Sequence, residues 1–483
     1  ETLVRYREYR RARGLLLRYI GDLSRELKPG AYFRLAWLDG VKLDFPEEAL
    51  WTFQRLFRTA LSRSMEAKGR YYFALTKNGV EDDYNLTNNL LEVHERFPDT
   101  YFGKLAARRA FEEETEDADL TTLDRALERY RSRLTRRAVR SATWRLFFKS
   151  YEAGSYRLAL DYLGLVESYY ENVPPKFLFW RRKARIASPD VEQGSYLRVM
   201  TFQENHPTDY YSLLAGQKGW SRDNFRVSET WSSREIGPAQ VEQRVLEGDI
   251  PTSTLAQFEL AISLEEHGLV TLALNRLERL AANIPKEDYL YLKFQWERSA
   301  GNYRESLKTA VELMDWYYDN NRRPPVEVVK AAYPTYFSDA VERSAGKFGL
   351  PEELIYGVIR QESAFDRDAY STAKAGGLMQ VIPSTARGIA NDLGDTDFQF
   401  DDLFDPQTAV EFGSYYVNKQ VSGSGNIRLG LVAYHGGPGN LSRWREDIGV
   451  GDVDLFLERI PQGSTENYVK AVYRNYLVYR QLY

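Results

Sequence analysis

Residues 349–365 read GLPEELIYGVIRQESAF, and this stretch has the pattern of one short amphipathic helix. Pro351 stands at a helix start, where no amide hydrogen is needed, and the two acids after it face the positive end of the helix. Counted from Ile355, two further apolar residues and then Glu362 fall on the same helical face. The sequence therefore predicts a helix to about residue 363 that carries a carboxyl group on its apolar side.

An acidic side chain on an apolar face is suited to general acid chemistry. Burial disfavours the ionised form, so we expect Glu362 to keep its proton to a higher pH than a solvated glutamate does. A protonated carboxyl group can protonate the departing oxygen of a glycosidic bond, which glycoside cleavage requires. The alternative, from this helix alone, is a structural glutamate paired with Arg360, Arg367 or a backbone amide.

Several short motifs accompany this helix in a fixed order. They are Arg360-Gln361-Glu362-Ser363-Ala364-Phe365, then Ser371, then Gly377-Leu378-Met379-Gln380 with Pro383 and Thr385-Ala386, then Ala433-Tyr434 with Gly437-Pro438-Gly439 and Trp444, and finally Tyr468-Val469. Over residues 333–483 the series closely resembles the catalytic domain of the soluble lytic transglycosylases. Upstream, His206-Pro207 followed by YYSLLA at residues 210–215 resembles the segment that follows the helical superhelix of these enzymes.

The resemblance implies an all-α protein in which an N-terminal α-superhelix, or solenoid, precedes a lysozyme-like helical catalytic domain. Glu362 would be the single catalytic acid and base, and no metal or cofactor is expected. The substrate-binding residues that the resemblance implies are Ser371, Met379, Gln380, Tyr434 and Tyr468. Of these, Ser371 would hydrogen-bond the reacting sugar, and the two tyrosines would close the site.

The first part of the chain, to about residue 320, repeats apolar residues at three- and four-residue spacing, which indicates helices. Gly154, Gly268 and Gly301 are each followed five and six residues later by a small residue and a leucine, and the last two glycines lie 33 residues apart. That spacing is close to the ~34-residue period of helix-turn-helix repeats, in which small residues let paired helices approach. We therefore predict an α-solenoid here, and an irregular helical domain is the alternative.

Two stretches rich in helix-breaking residues divide the chain, residues 216–254 and Asn320–Pro325. The sequence predicts an α-superhelical domain at residues 1–215. A loop-rich segment followed by continued helical repeats is expected at residues 216–325, and the catalytic domain at residues 326–483.

Composition excludes several classes of protein. The 65 basic and 69 acidic residues are interspersed, which argues against a nucleic-acid partner. The chain has no cysteine, and its four histidines lie far apart, so thiolate and histidine metal sites are not expected. No run approaches the ~18 apolar residues that span a bilayer. The resemblance implies export to a periplasmic or outer-membrane-associated place in the cell envelope, with a signal that this chain does not contain.

The expected reaction is cleavage of the β-1,4 bond between N-acetylmuramic acid and N-acetylglucosamine of peptidoglycan without water, which gives 1,6-anhydromuramyl products. A lysozyme-type muramidase is one alternative, and it would need a second carboxylate, for which Asp366 and Asp368 are the nearest candidates. A catalytically silent glycan-binding scaffold of the envelope is the other. The expected partners are peptidoglycan glycan strands, and by analogy of fold the helical part could also bind envelope proteins.

Five positions depart from the family's pattern. They are Lys374, where Gly is usual, His435 and Gly436, where Asn-Ala is usual, and Ser464 and Glu466, where Glu and Arg are usual on either side of Thr465. These changes affect the loop near Ser371, the hydrogen bonds around Tyr434 and an ion pair in the last helix.

Overall fold

The structure is a computed structural model, and it describes residues 8–116, 118–171, 173–188, 208–217, 237–248 and 251–483. Within these ranges the regular structure is helical, apart from two isolated β-bridges that join Gly376 to Tyr370 and to Val381. The all-α prediction is confirmed. None of the helices in the described ranges has the length and apolar character to cross a bilayer. The chain divides into two compact units, residues 1–194 and 195–483.

The first unit is a succession of helices in which neighbours along the chain pack against each other. Its helices are α1 (Tyr9–Tyr19), α2 (Lys28–Trp37), α3 (Pro46–Leu56), α4 (Arg63–Asn78), α5 (Leu86–Arg96), α6 (Tyr101–Thr115), α7 (Leu120–Tyr130), α8 (Arg136–Glu152), α9 (Tyr156–Glu167) and α10 (Pro175–Ala187). Five consecutive helices, α4 to α8, begin after a side chain whose oxygen accepts a backbone amide hydrogen of the first turn. These capping residues are Ser62, Asn85, Thr100, Asp119 and Thr135.

The second unit continues the helical pattern. Its helices are α11 (Tyr210–Gln217), α12 (Pro238–Leu246), α13 (Thr252–Glu266), α14 (Val270–Leu280), α15 (Lys286–Ser299), α16 (Tyr303–Asp319), α17 (Val326–Ala332), α18 (Ser338–Phe348), α19 (Glu352–Glu362), α20 (Pro383–Leu393), α21 (Pro406–Ser424), α22 (Ile427–Gly436), α23 (Pro438–Ile448), α24 (Val453–Arg459) and α25 (Gly463–Leu482). One hydrophobic core extends from Leu213 and Val241 to Tyr479. The helices of this unit before residue 326 therefore share a core with those after it.

The glycine repeat marks turns between paired helices. Gly154, Gly268 and Gly301 have φ angles of 70°, 75° and 75°, a left-handed conformation that glycine adopts without a steric penalty. The small residue five positions later is fully buried in each copy, where the next helix packs against its partner: Ala159, Ala273 and Ser306. The repeat thus specifies both the end of one helix and the close packing of the next.

The predicted domain boundaries, at residues 215/216 and 325/326, stay predictions. Much of the predicted loop-rich segment lies outside the described residues, and so does the His206-Pro207 motif. The described part of that segment includes helix α12.

Helices α19 and α25 pack against each other and position the predicted catalytic side chain. Helix α19 follows Pro351, and at Gly357 an added Cβ would lie 3.1 Å from the backbone nitrogen of Tyr476. A side chain at this position would push the two backbones apart by a few tenths of an ångström. Asn475 fixes the contact by donating to the Gly357 carbonyl across 3.3 Å. The end of α19 is thereby held beside the first turns of α25.

Candidate active site

Glu362 is the last residue of α19. The apolar residues on its helical face, Ile355, Val358 and Ile359, are fully buried, and Glu362 itself is half-buried. Its Oε1 accepts a hydrogen bond of 2.6 Å from the hydroxyl of Tyr468 on α25. Burial raises the pKa of Glu362 to about 7, while the bond from Tyr468 acts in the opposite direction. The carboxyl group can therefore give and take a proton near neutral pH.

Arg360, the arginine nearest to Glu362 in sequence, makes its contacts elsewhere. Arg360 donates to the carbonyl of Ala332 across 2.9 Å and to Oδ1 of Asn475 across 3.1 Å. Its guanidinium also lies 4.1 Å from the centre of the Tyr333 ring. The side chain that meets Glu362 is a phenol, which supports the carboxylate with a hydrogen bond but brings no positive charge.

Two aromatic side chains form a wall next to Glu362. The rings of Tyr434 and Tyr468 are nearly parallel, 11° apart in orientation, with centres 6.3 Å apart. Tyr434 donates to the carbonyl of Met379 across 2.8 Å. Burial, with the charge of Glu362 adding to it, raises the pKa of both tyrosines well above the ordinary value. Both phenols therefore stay protonated and act as donors.

His435, one of the departures from the family's pattern, belongs to this wall. Its ring lies 4.4 Å from the ring of Tyr468 at an angle of 25°, and its Nδ1 lies 3.0 Å from Oγ1 of Thr465. Partial burial lowers the pKa of His435, which favours the neutral ring. Thr465 is fully buried. Its contact with His435 was not predicted, and its place between two altered positions was the one local signal for it.

The loop after Glu362 holds the other predicted site residues. Oγ of Ser371 accepts the amide hydrogen of Ala375 across 3.0 Å, a bond that leaves the hydroxyl hydrogen of Ser371 unused. The side-chain amide of Gln380 donates to two loop carbonyls, each across 2.9 Å. The Met379 side chain is 1% exposed and packs against Gly413. These contacts shape the loop, and the role of each residue toward a sugar stays a prediction.

The same loop contains a concentration of left-handed backbone that the sequence did not reveal. Ala364, Phe365, Lys374 and Gln380 have φ angles of 52°, 66°, 63° and 48°. Residues other than glycine adopt this region at an energetic cost, and such positions cluster at functional sites. Lys374 occupies the left-handed position where the family usually has glycine, which explains why that departure matters to the loop.

Of the two candidates for a second carboxylate, Asp366 is bound to other partners and Asp368 is exposed to solvent. Asp366 pairs with Arg304 across 3.2 Å and accepts the amide hydrogen of Asp368 across 3.1 Å. The side chain of Asp368 is 79% exposed. In the described part of the chain, no group of three or more histidine, aspartate or glutamate side chains is arranged to hold a metal ion.

The part of the chain that contains Glu362 is similar to known proteins. Residues 339–452 match the family model described as the transglycosylase SLT domain. The soluble lytic murein transglycosylase of Escherichia coli is 31% identical over 143 residues, which are 29% of this chain and 22% of that relative. A putative soluble lytic murein transglycosylase of Haemophilus influenzae is 26% identical over 365 residues, which are 68% of this chain and 59% of the relative. The chain thus spans less than two thirds of either relative.

A solved structure is similar over nearly the whole chain. The 70-kDa soluble lytic transglycosylase of Escherichia coli aligns with a TM-score of 0.53 at 17% identity and covers 99% of this chain and 84% of its own. The predicted fold class, an α-superhelix followed by a lysozyme-like helical domain, is confirmed by this likeness. The chain therefore carries a transglycosylase SLT domain at residues 339–452, and it is similar to the soluble lytic transglycosylases in sequence over that region and in fold over nearly its whole length.

Proposed function

We propose that this protein is a peptidoglycan lytic transglycosylase. It cleaves the β-1,4 bond between N-acetylmuramic acid and N-acetylglucosamine without water and leaves 1,6-anhydromuramyl ends. The observation that carries the proposal is the environment of Glu362, a half-buried carboxyl group with a pKa of about 7 and a phenol as its hydrogen-bond donor. Such a group is matched to acid and base work at neutral pH.

In the first step Glu362 acts as the acid. Its proton passes to the glycosidic oxygen, the bond from that oxygen to C1 of the muramyl residue breaks, and the N-acetylglucosamine side departs as an alcohol. The acetamido oxygen of the muramyl residue bonds to C1 and takes up the positive charge. Glu362 is now a carboxylate, and the hydrogen bond from Tyr468 stabilises it.

In the second step Glu362 acts as the base. It takes the proton of the muramyl C6 hydroxyl, whose oxygen attacks C1 and displaces the acetamido oxygen. The anhydro ring closes, and Glu362 is protonated again for the next cycle. No water is consumed, and the protons balance over the two steps.

A hydrolase would place a second carboxylate about 5 to 5.5 Å from the acid as a nucleophile, or about 6.5 to 9.5 Å away as a base. Asp366 is tied to Arg304 and to a loop amide, and Asp368 extends into solvent. These positions favour one carboxyl group that does both jobs over the muramidase alternative.

Substrate binding is assigned to the loop and the aromatic wall. Ser371 donates its unused hydroxyl hydrogen to the sugar, and Tyr434 and Tyr468 enclose the reacting ring. Gln380 and Met379 keep the loop in the shape that admits the sugar, the first through its two carbonyl contacts and the second through its carbonyl bond with Tyr434. The glycan strands of peptidoglycan are the substrate, in a periplasmic or outer-membrane-associated place in the cell envelope.

Product analysis tests the proposal. Purified peptidoglycan is digested with the protein, and the released muropeptides are weighed by mass spectrometry before and after borohydride treatment. Anhydro ends are lighter than reducing ends by one water and do not react with borohydride, and these are the expected products. Reducing muramic ends would identify a muramidase, and retention of glycan without release would identify a binding scaffold.

A further inference from the structure

The last helix carries a buried ion-pair cluster beyond the active-site wall. The ammonium of Lys470 on α25 donates to Oη of Tyr211 across 2.7 Å, to Oε1 of Glu458 across 2.7 Å and to Oε1 of Glu466 across 2.5 Å. The Tyr211 hydroxyl also donates to Glu458. We name these four residues the Lys470 cluster. It joins the consecutive helices α24 and α25 to α11, whose Tyr211 lies 259 residues before Lys470 in the chain.

The Lys470 cluster is shielded from solvent. The side chains of Lys470 and Glu458 are only 14% and 3% exposed. Charges at this depth are held in place strongly, because separating them leaves an uncompensated charge away from water. In an exposed pair such as Lys347 with Glu411, whose lysine side chain is 53% exposed, the charges can be separated at little cost because water solvates each of them.

A second pair reinforces the same junction. Arg428, at the start of α22, bonds to Asp454 of α24 across 2.5 Å and to the hydroxyl of Tyr210 across 3.2 Å. The ring of Tyr210 packs edge-on against that of Tyr211. The two neighbouring tyrosines of α11 therefore connect both ion pairs to the last helix.

The cluster and the active-site donor lie on opposite sides of α25. Successive residues of an α-helix are about 100° apart, so Tyr468 and Lys470 point in directions that differ by about 200°. A rotation of α25 that moved the Tyr468 hydroxyl away from Glu362 would also pull Lys470 from its partners. The rotation of this helix is thus fixed on one side by Tyr468 and on the other by the cluster.

We propose that the Lys470 cluster is a positioning device for the active site: it fixes the rotation of α25 so that the Tyr468 hydroxyl faces Glu362. Glu466 stands where the family usually has arginine, so the charge at this position is negative. Lys470, one helical turn later, supplies the positive charge of the ion pair with Glu466. Helix α11, which precedes the catalytic helices by more than a hundred residues, becomes part of the active-site support. The catalytic consequence rests on the proposed function, whereas the positioning itself does not.

The test uses a double variant, Glu466→Gln with Tyr211→Phe, in the full chain. It removes two of the three bonds to Lys470 and leaves Lys470 paired with Glu458, so that no buried charge is orphaned and the fold is kept. The readout is the pKa of the Glu362 carboxyl group, followed by ¹³C NMR of protein labelled at glutamate Cδ, with the signal assigned by its loss in Glu362→Gln. Because this readout needs no substrate, it stays valid if the proposed activity fails.

The expected result is a higher pKa of Glu362, by as much as about one pH unit if the Tyr468 bond is lost entirely. Removal of the Glu466 charge alone would lower the pKa of a nearby carboxyl group, so the two effects have opposite signs. In a Tyr468→Phe background the double variant should cause no further rise, because the bond it acts through is already absent. The exposed-pair control Lys347→Met should leave the pKa at the parent value.

The lowering of the Glu362 pKa by the lost Glu466 charge is measured by itself in the Tyr468→Phe background. The proposal is overturned if the double variant melts at a lower temperature but titrates like the parent once that lowering is subtracted. It is equally overturned if the same rise appears in the Tyr468→Phe background, since the effect would then bypass Tyr468. A parallel assay on peptidoglycan should give a kcat about tenfold lower with KM little changed. If the parent protein releases no anhydro products, the proposed function is refuted, but the titration result for Glu362 still decides the positioning role.

Discussion

The hydroxyl of Tyr468 donates to Oε1 of Glu362 across 2.6 Å and so joins the last helix to the end of α19. This bond favours the carboxylate, whereas burial favours the carboxylic acid, and burial has the larger effect. The opposition leaves the pKa near 7, where one group can give a proton in one step and take one in the next. The proposed acid and base roles of Glu362 rest on that balance.

Replacement of Tyr468 by phenylalanine should shift the pH dependence of the reaction. Without the donor, burial alone sets the pKa of Glu362, which rises above 7, so the alkaline limb of kcat/KM moves to higher pH by about one unit. The rate at the optimum should fall, because the carboxylate formed after the first step loses its hydrogen bond. The control is Tyr415→Phe, which removes a hydroxyl bonded to Asp392 across 2.9 Å. An unchanged alkaline limb in Tyr468→Phe would contradict the role of this bond.

The raised pKa of Glu362 also predicts how stability depends on pH. The folded protein holds this proton up to a pKa of about 7, and the unfolded chain only up to the ordinary value of 4.5. Between these values the folded state binds more protons, so the contribution to stability is fully present below 4.5, declines as pH rises and is lost above about 7. Glutamine has no such proton, so the unfolding free energy of Glu362→Gln lacks this pH dependence. The difference in unfolding free energy, variant minus parent, should therefore be about 3 kcal/mol larger above pH 7 than at pH 4. Urea unfolding of both proteins at pH 4 and pH 8 measures the two differences. Equal differences at the two pH values would rule out a raised pKa of Glu362 in the folded protein.

Gly377 should tolerate no side chain. Its φ is 74°, and an added Cβ would lie 1.9 Å from the carbonyl oxygen of Leu403. Gly394 is the control: its φ is 75°, but an added Cβ would have nothing within 4 Å. An alanine there therefore introduces backbone strain without a steric clash. We expect Gly394→Ala to cost about 1 kcal/mol of unfolding free energy and Gly377→Ala about 3 kcal/mol or more, with loss of activity. Similar melting temperatures for the two variants would show that the loop can move aside.

Lys374→Gly should stabilise the protein. Lys374 is exposed and has a φ of 63°, which costs a residue with a Cβ about 1 to 2 kcal/mol, partly offset by the extra freedom of glycine in the unfolded chain. The expected net gain is up to about 1 kcal/mol in the unfolding free energy, measured with denaturant. Thr372→Gly, at an exposed position of the same loop without a positive φ, should instead lower stability. A loss in both variants would mean that Lys374 makes a stabilising contact that outweighs its backbone strain.

The features that the sequence predicted well are local ones. The pattern from Pro351 onward predicted helix α19, its apolar face and an acid at its end, because helical periodicity and the charges of the first turn depend only on neighbours. The glycine repeat likewise predicted turns between paired helices. The motif resemblance extended this to the fold class of the whole chain.

The features that it missed depend on contacts between distant residues. Tyr211 and Lys470 are 259 residues apart, so no spacing rule could join them. The left-handed positions at Ala364 and Phe365 have no local signature, since both residues prefer other conformations. The family resemblance implied that Met379 binds substrate, but it could not predict that the Met379 side chain is buried against Gly413 or that its carbonyl accepts the hydrogen bond from Tyr434.

The rate of anhydromuramyl product release by Glu362→Gln at pH 6 to 7 shows whether the carboxyl group of Glu362 performs both proton transfers. The matched control is Glu352→Gln, the same chemical change at an exposed position at the other end of α19. We predict that Glu362→Gln folds normally and releases these products at least ~10³-fold more slowly than the parent, while the control keeps the parent rate. Release by Glu362→Gln at near the parent rate would contradict the account.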